Sequence, residues 1–275
     1  LESSIKQALR NLRAQKMRAF LTMLGIIIGI SSVIMITSAI HGAESLIVNQ
    51  IEGLGANIIG VLPGKSDDGG PPAAVMGIVI TTLRDSDVEE IRKRVPNVEA
   101  VSAYVSATEV VNWGNQKTVG QVYGVSPDYP NISDAELESG YFFTEEHKRT
   151  NANVAILGSD IKDDLFEGVD PIGEKITVKN TKLTIIGVME PIGTVGFTNA
   201  DTMVFVPVTT AQKRILGINH IGFSRIRVNH EDNIPQVMAD VEDILRARHN
   251  IKDPAKDDFT IESTSEALKS LDQIT

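Results

Sequence analysis

The most continuous run of apolar positions lies near the start of the chain. Residues 20–40 (FLTMLGIIIGISSVIMITSAI) contain no charged side chain. A helix over these residues is about 31 Å long, which matches a hydrocarbon core of roughly 30 Å. The pattern therefore predicts a transmembrane helix at 20–40. Apolar positions continue at helical spacing through Ala43, Leu46, Ile47 and Ile51, so we expect the helix to extend beyond the membrane.

Charge is distributed unevenly about this span. The bases that precede it are Lys6, Arg10, Arg13, Lys16 and Arg18. Glu2 is the single acid in residues 1–19, and no further Lys or Arg occurs before Lys65. Because cytoplasmic loops carry an excess of Lys and Arg, the N-terminus is predicted to be cytoplasmic. Residues 41–275 are then extracytoplasmic, and the chain belongs in the inner (cytoplasmic) membrane.

Two other interpretations of the apolar run fit less well. A secretory signal peptide has an apolar region of about 7–15 residues followed by a small-residue cleavage site. Here the run is longer and the helical pattern continues past it. A buried helix of a soluble core would leave the charge difference across the run unexplained.

The segment before the span has a two-sided pattern of its own. Ile5, Leu9 and Leu12 lie on one helical face, and the bases lie on the other. Residues 1–19 are therefore predicted to form a basic amphipathic helix on the cytoplasmic leaflet. A simple helical extension of the span is the alternative.

Small residues recur at helical spacing inside the span. Gly25 and Gly29 form a GxxxG pattern, and Ser32 extends the same face. Such a face lets a second membrane helix approach closely. Glycine is also common in membrane helices generally, and both interpretations stay open.

Beyond the span, two stretches have a strand–helix–strand pattern. The first consists of strands at Ala56–Leu62, Ala74–Thr81 and Val98–Val111, with a helix opened by a capping box at Ser86–Glu89. The second consists of strands at His220–Val228 and Phe259–Glu262, with a helix opened by Asn233 and Pro235. We expect both units to share one sheet with the helices on one face. They define an α/β subdomain of residues 41–111 and 201–275.

The stretch between these units is richer in strands. Turns are predicted at Trp113–Asn115 and Asn180–Thr181. Strands are predicted at Val154–Leu157, Lys175–Val178 and Leu183–Val188, with a short helix at Asp160–Phe166. Residues 112–200 are therefore predicted to form an inserted β-rich subdomain, and the fold class is α+β. Residues 263–275 again have a helical stripe, after which a second membrane span is expected.

Composition and motif content exclude several classes of function. The net charge of −10 argues against nucleic acid as a partner, and the absence of cysteine excludes thiol catalysis and Cys-based metal sites. The five histidines form no HExxH pair, and no G-x-S-x-G motif occurs. No catalytic, cofactor-binding or metal-ligating residue is predicted, so an enzyme is not expected.

One loop has the features of a binding surface. Glu190–Asp201 (EPIGTVGFTNAD) contains Gly193 and Gly196 and places the aromatic Phe197 in polar surroundings. Binding residues are frequently carried on loops, so these three residues are candidates for contact with a partner. An ordinary connection between strands is the alternative.

Several motifs together resemble a known family. NLRAQKMRAFLTMLGIIIGISSVIMI, at 11–36, is similar to the first membrane helix of the MacB-like permeases of ABC transporters. The resemblance continues through HGAESLIVNQIEGLGANIIGV, GVSPDYPNI, LESGYFF, VAILGSDIKDDLF, DPIGEKITV and TIIGVME. It covers essentially the whole chain.

The resemblance implies a first transmembrane helix followed by an extracytoplasmic MacB-type domain with a porter-like α/β part and a β-rich insert. It implies a dimer of permeases, a cytoplasmic ABC ATPase on a separate subunit and an extracytoplasmic adaptor protein. It also implies mechanotransmission, in which ATP-driven motion passes through the helices to the outer domain and drives efflux. Three further membrane helices are expected after Thr275.

Two other functions remain open from the residues alone. The outer domain could recognise a ligand as a membrane-anchored sensor, in which case a cytoplasmic signalling segment should follow. An anchored hydrolase would require a cleft with perturbed carboxylates or histidines. The substrate is not predicted.

Overall fold

The structure is a computed structural model that describes residues 16–52, 57–65, 79–195 and 198–264. It divides into two units, residues 1–49 and residues 50–275. The predicted amphipathic helix at 1–19 lies outside the described residues except for its last four. The predicted strand at Ala74–Thr81 is described only at 79–81, which are not in a strand, and the predicted helix at 263–275 is described only at its first two residues.

The N-terminal unit is dominated by one helix. Helix α1 spans Lys16–Glu52 without interruption. Within the described residues, Lys16–Gly42 is the one segment long and apolar enough to cross a membrane, and its described side chains are exposed. The continuous helix predicted from the apolar periodicity is confirmed.

The second unit is a mixed α/β domain. Its strands are β1 (Ile58–Pro63), β2 (Val98–Trp113), β3 (Gln116–Val125), β4 (Leu137–Gly140), β5 (Val154–Leu157), β6 (Lys175–Val178), β7 (Thr181–Met189), β8 (Thr194–Val195), β9 (Thr198–Asn199), β10 (Met203–Pro207), β11 (Phe223–Val228) and β12 (Phe259–Ser263). Its helices are α2 (Asp85–Arg94), α3 (Tyr129–Ser133), α4 (Glu145–Thr150), α5 (Ser159–Phe166), α6 (Val208–Thr210, continued by a π-helix at Ala211–Leu216) and α7 (Ile234–His249). Single 3-10 turns lie at Ala200–Thr202, Glu231–Asn233 and Pro254–Lys256.

The first and last parts of the domain share one side of the sheet. Strands β12, β1, β11 and β2 are neighbours in that order, and all of their pairings are antiparallel. Ile59 of β1 packs in the main core with Ile91 of α2 and Val241 of α7. Because side chains alternate along a strand, Ile58 faces the other side, where it packs with Ile132 of α3. The two predicted strand–helix–strand units therefore do share one sheet.

Strands β2, β3, β10, β5, β7 and β6 close a ring, whereas β4 pairs with β7 outside it and β8 pairs with β9 in a separate sheet. β2 pairs with β3 and β6, β10 joins β3 to β5, and β7 joins β5 to β6. Side chains of these strands and of α5 fill the main core, among them Val111, Val122, Leu165, Phe166, Ile176, Leu183 and Val204. β10 lies beyond residue 200 and pairs with strands of the 112–200 stretch on both sides. The division into two subdomains stays a prediction.

The predicted bounds of strands and turns agree with the structure where neighbouring residues determine the turn. The strands Val154–Leu157 and Lys175–Val178 have the predicted bounds. The β2–β3 hairpin turns at Gly114 and Asn115, and Gly114 has a φ of +55°. The second turn lies one residue earlier than predicted, at Lys179–Asn180, because Val178 already pairs with Thr181.

The capping box predicted at Ser86–Glu89 is wrong. Helix α2 begins two residues earlier than a capping box at Ser86–Glu89 implies, at Asp85, with Arg84 as its N-cap. Asp87 supplies the acceptor, since its Oδ2 atom accepts the backbone N–H of Arg84 at 2.8 Å. Glu89 instead contacts a lysine of another helix, which the sequence pattern does not reveal.

Candidate functional site

The face of α1 predicted to pack against another helix is open in this structure. A Cβ atom added to Gly25 or Gly29 would meet no atom within 4 Å. The Ser32 hydroxyl donates a hydrogen bond to the Ile28 carbonyl oxygen at 2.7 Å. The Thr22 and Thr37 hydroxyls likewise donate to carbonyls one turn earlier. These three hydroxyl groups are therefore satisfied within the helix, as a hydrocarbon environment requires.

The predicted partner loop is described in part. Strands β8 and β9 form a two-stranded hairpin within it, and Gly193 has a φ of +74°. Gly196 and Phe197 lie outside the described residues. Of the three predicted contact residues, the structure therefore places only Gly193, at the base of the hairpin.

The buried carboxylate of Asp201 fixes the residues at which the hairpin starts. Asp201 accepts the backbone N–H groups of Ile192 and Gly193, each at 2.8 Å. The Gly193 carbonyl in turn accepts the N–H of Ala200 at 3.0 Å. From the sequence, Asp201 was predicted only as the end of the loop. The Asn199 side chain accepts the Asp201 N–H, so Asn199 was the available signal for an Asx turn.

The loop also packs closely on helix α5. A Cβ atom added to Gly158, the N-cap of α5, would lie 2.3 Å from the Asp201 carbonyl oxygen. Only a residue without a side chain fits there. The start of α5 and the end of the loop are thereby fixed against each other.

A small cavity lies beside this loop. Its volume is about 50 Å³, and Ile192 and Ala200 of the loop region form part of its wall. The rest of the lining consists of Tyr123, Tyr129, Ser133, Met203 and Arg225. This group has no sequence signature, because its members come from four elements, β3, α3, β10 and β11, that only the fold brings together.

A second cluster joins α2 to α4. The Lys148 ammonium is buried, lies 3.0 Å from Asp85 and donates to Glu89. Burial raises the pKa of Asp85 above its ordinary value, since Lys148 offsets only part of the desolvation. Burial acts in the same direction on Glu89, but there Lys148, together with Arg92 and Lys93, outweighs it and the pKa is lowered. A cavity of about 380 Å³ adjoins the cluster.

A third cluster joins the start of α2 to the end of α7. Arg248 donates to Asp87 at 2.6 Å, and His249 Nδ1 lies 2.7 Å from Asp258. This cluster lines a polar cavity of about 430 Å³. Within the described ranges no group of three His, Asp or Glu side chains is arranged to hold a metal ion. The arrangement is that of an ion-pair network.

The comparisons with known proteins identify the class of domain. The fold matches the periplasmic region of MacB from Actinobacillus actinomycetemcomitans with a TM-score of 0.68, at 19% identity, over 82% of this chain and 97% of that one. It matches the extracellular domain of the noncanonic ABC-type transporter YknZ from Gram-positive bacteria with a TM-score of 0.61, at 16% identity, over 75% of this chain and all of that one. These likenesses show that the chain shares the fold of these two domains.

Residues 19–244 match the family model of the MacB-like periplasmic core domain. The chain belongs to that family, and the resemblance stated from its sequence motifs is confirmed. A relative from Azoarcus sp. (strain BH72), the macrolide export ATP-binding/permease protein MacB, is 35% identical over 92% of this chain. A relative of the same name from Shewanella sp. (strain W3-18-1) is 32% identical over 91% of it. The chain spans 38% of the length of each of these two relatives.

Proposed function

We propose that this chain is the N-terminal membrane helix and outer domain of an ABC-type export permease, and that it passes ATP-driven conformational change across the membrane. The observation that carries the proposal is the unbroken helix α1. Its 37 residues correspond to about 55 Å, well beyond a hydrocarbon core of roughly 30 Å. A continuous helix transmits displacement, whereas a flexible linker of the same length would absorb it.

The proposed orientation follows from charge. The N-terminal bases lie in the cytoplasm and the α/β domain lies outside. Family membership supports this, because the family model describes a periplasmic domain. The buried, mutually packed strands of the outer domain suit a rigid body that is moved by the helix.

The proposed ATPase acts in the cytoplasm. The relatives' name joins an ATP-binding part and a permease part in one protein, and this chain matches only 38% of their length. The ATPase is therefore sought both as a separate subunit and within the same polypeptide. Co-purification of the tagged protein from its own membranes tests this. An associated nucleotide-hydrolysing activity is expected, and its absence would contradict the transporter assignment.

The proposed dimer uses the face of α1 that carries Gly25, Gly29 and Ser32. Because residues 1–275 contain no cysteine, a single cysteine can be introduced at a chosen position among them. Gly29→Cys is expected to form a disulfide-linked dimer in native membranes, with a yield that changes on addition of ATP. Ile34→Cys lies on the opposite helical face and serves as the control. Equal cross-linking at both positions would contradict the proposed face.

Two partners complete the proposal. We place contact with an extracytoplasmic adaptor at the loop that contains Gly193, Gly196 and Phe197. Because the curated relatives are named for macrolide export, macrolides are the first substrates to test. Efflux that is unchanged when the gene is deleted would remove that substrate class from the proposal.

A further inference from the structure

The cavity beside the hairpin loop is lined in part by a cation, Arg225. Arg225, on β11, is half-buried, and its guanidinium lies 5.5 Å from the ring centre of Tyr104 and 5.4 Å from that of Phe223. Among the residues that the structure describes, no carboxylate lies within ion-pair distance of it. Arg227, two residues along the same strand face, is by contrast paired with Asp134 at 2.7 Å. Strand β11 therefore carries one arginine that is paired with a carboxylate and, within the described residues, one that is not.

Residues with hydroxyl groups line the cavity together with Arg225. Tyr123, Tyr129 and Ser133 line the same cavity. Tyr104 packs against both tyrosines, at ring-centre distances of 5.6 and 6.2 Å. The Tyr104 side chain is fully buried, and its hydroxyl makes no hydrogen bond of good geometry within the described residues, although Ser133 and Arg225 lie beside it. A buried polar group without a well-formed hydrogen bond costs about 1–3 kcal/mol, so an acceptor beside Ser133 and Arg225 would be favourable here.

The hydroxyls act as donors near neutral pH. Burial raises the pKa of Tyr104 and Tyr123, and it raises the pKa of Tyr129 to about 12. All three groups therefore stay protonated. Tyr123, Tyr129 and Ser133 line the cavity together with Arg225, so its lining supplies several O–H and N–H donors, and no carboxylate is among its lining residues.

We infer that this cavity binds a single carboxylate group, which Arg225 pairs with and the surrounding tyrosine and serine hydroxyls hydrogen-bond. The volume of about 50 Å³ exceeds the 10–15 Å³ that a water needs but is far below the space a drug-sized molecule occupies. The guanidinium fork matches the two oxygens of a carboxylate. One cation neutralises one negative charge, whereas a doubly charged phosphate would leave charge buried without compensation. The carboxylate belongs either to a free small acid or to a polypeptide.

The test uses the whole chain in detergent and sodium acetate as the probe. Acetate is titrated in a chloride buffer while its carboxyl carbon-13 signal is followed for exchange broadening. Saturable broadening is expected, and acetamide, which has the same shape without the charge, should produce none. Absence of acetate binding, equal binding of acetamide or tighter binding of inorganic phosphate would overturn the inference.

Two substitutions separate the site from general binding. Arg225→Gln is expected to weaken acetate binding at least about tenfold, which is the loss expected for a hydrogen bond to a charged group. Tyr123→Phe removes one donor and keeps the ring, so a smaller loss is expected. Tyr141→Phe alters a tyrosine that is 56% exposed and outside the cavity, and should change nothing. Folding of each variant is checked by its thermal unfolding without acetate, and equal affinity in wild type and Arg225→Gln would contradict the site.

A last comparison identifies the source of the carboxylate. An end-blocked peptide with one glutamate is compared with its glutamine counterpart and with acetate. Glutamate-dependent binding more than tenfold tighter than acetate would assign the site to an acidic segment of a polypeptide. Equal affinity would assign it to a free acid. Binding of the glutamine peptide as tight as that of the glutamate peptide would overturn the role of the carboxylate.

Discussion

The Lys148 ammonium lies 3.0 Å from the carboxylate of Asp85. The contact joins helix α4 to the first turn of helix α2, and Lys148 is only 5% exposed. A buried cation is retained in a fold only where anions compensate its desolvation, so these two helices are held at a fixed separation. Motion imposed on one of them is transmitted to the other.

Replacing this lysine should destabilise the domain. Lys148→Met leaves Asp85 and Glu89 without their cation in a half-buried setting. We expect the free energy of unfolding to fall by about 1–3 kcal/mol, between the values typical of exposed and buried ion pairs. Denaturant titration in detergent measures it. Lys213→Met alters an exposed lysine of the same cavity and should stay within about 0.5 kcal/mol. An equal effect of both substitutions would count against the contact.

The two acids of the cluster should have opposite effects on acid stability. The lowered pKa of Glu89 contributes stability above its ordinary pKa of 4.5, and that contribution is lost as the pH falls through the lowered value. The raised pKa of Asp85 contributes stability that is complete below 3.8 and is lost as the pH rises through the raised value. Between neutral pH and pH 3, Glu89→Gln should therefore flatten the fall in melting temperature, and Asp85→Asn should steepen it. Changes of the same sign in both variants would contradict the assignment.

The close approach at Gly158 predicts a specific intolerance. Gly158→Ala puts a methyl group 2.3 Å from a backbone oxygen of the loop, so the loop or α5 has to shift. We expect a loss of about 1–3 kcal/mol, as for other overpacked sites, and faster proteolysis within residues 190–202. Gly60→Ala, where the nearest atom is 3.7 Å away, is the control and should change stability by less than about 1 kcal/mol. Unchanged proteolysis in Gly158→Ala would argue that the loop is not held there.

Removal of the Asp201 carboxylate should open the loop. Asp201→Ala leaves two N–H groups, those of Ile192 and Gly193, without acceptors, at about 1–3 kcal/mol for each group that stays buried. Hydrogen exchange of both amides should accelerate. Asp170→Ala removes an exposed carboxylate that accepts the N–H of Ile172, and water can replace it there. A similar acceleration at both sites would contradict the buried role of Asp201.

Local chemistry explains which elements were predictable. The Gly114–Asn115 turn and the start of α7 at Asn233 and Pro235 depend on residues that are neighbours in the chain, and both were predicted. The ring closure between β2 and β6 depends on strands about 65 residues apart, as in the pairing of Asn112 with Thr177. No periodicity encodes such a pairing.

The difference between local and long-range determinants also explains which functional features were predictable from the sequence. The membrane helix follows from a continuous apolar run, and the family follows from motifs distributed along the whole chain. Lys148, by contrast, sits in a polar segment that resembles any exposed helix, and Arg225 is one of two arginines on an alternating strand. Their roles depend on what lies opposite them in the fold.

The central claim is that the domain after α1 lies on the other side of the membrane from the N-terminus. Residues 1–275 contain no cysteine, so Ser4→Cys and Asn115→Cys each introduce one thiol among them. In the proposed topology, residue 4 lies in the cytoplasm and residue 115 lies outside the membrane. A small, charged, membrane-impermeant maleimide is added to intact cells and then to permeabilised ones. The account predicts that Asn115→Cys is labelled in intact cells and Ser4→Cys only after permeabilisation. Labelling of Ser4→Cys in intact cells, with Asn115→Cys protected, would contradict it.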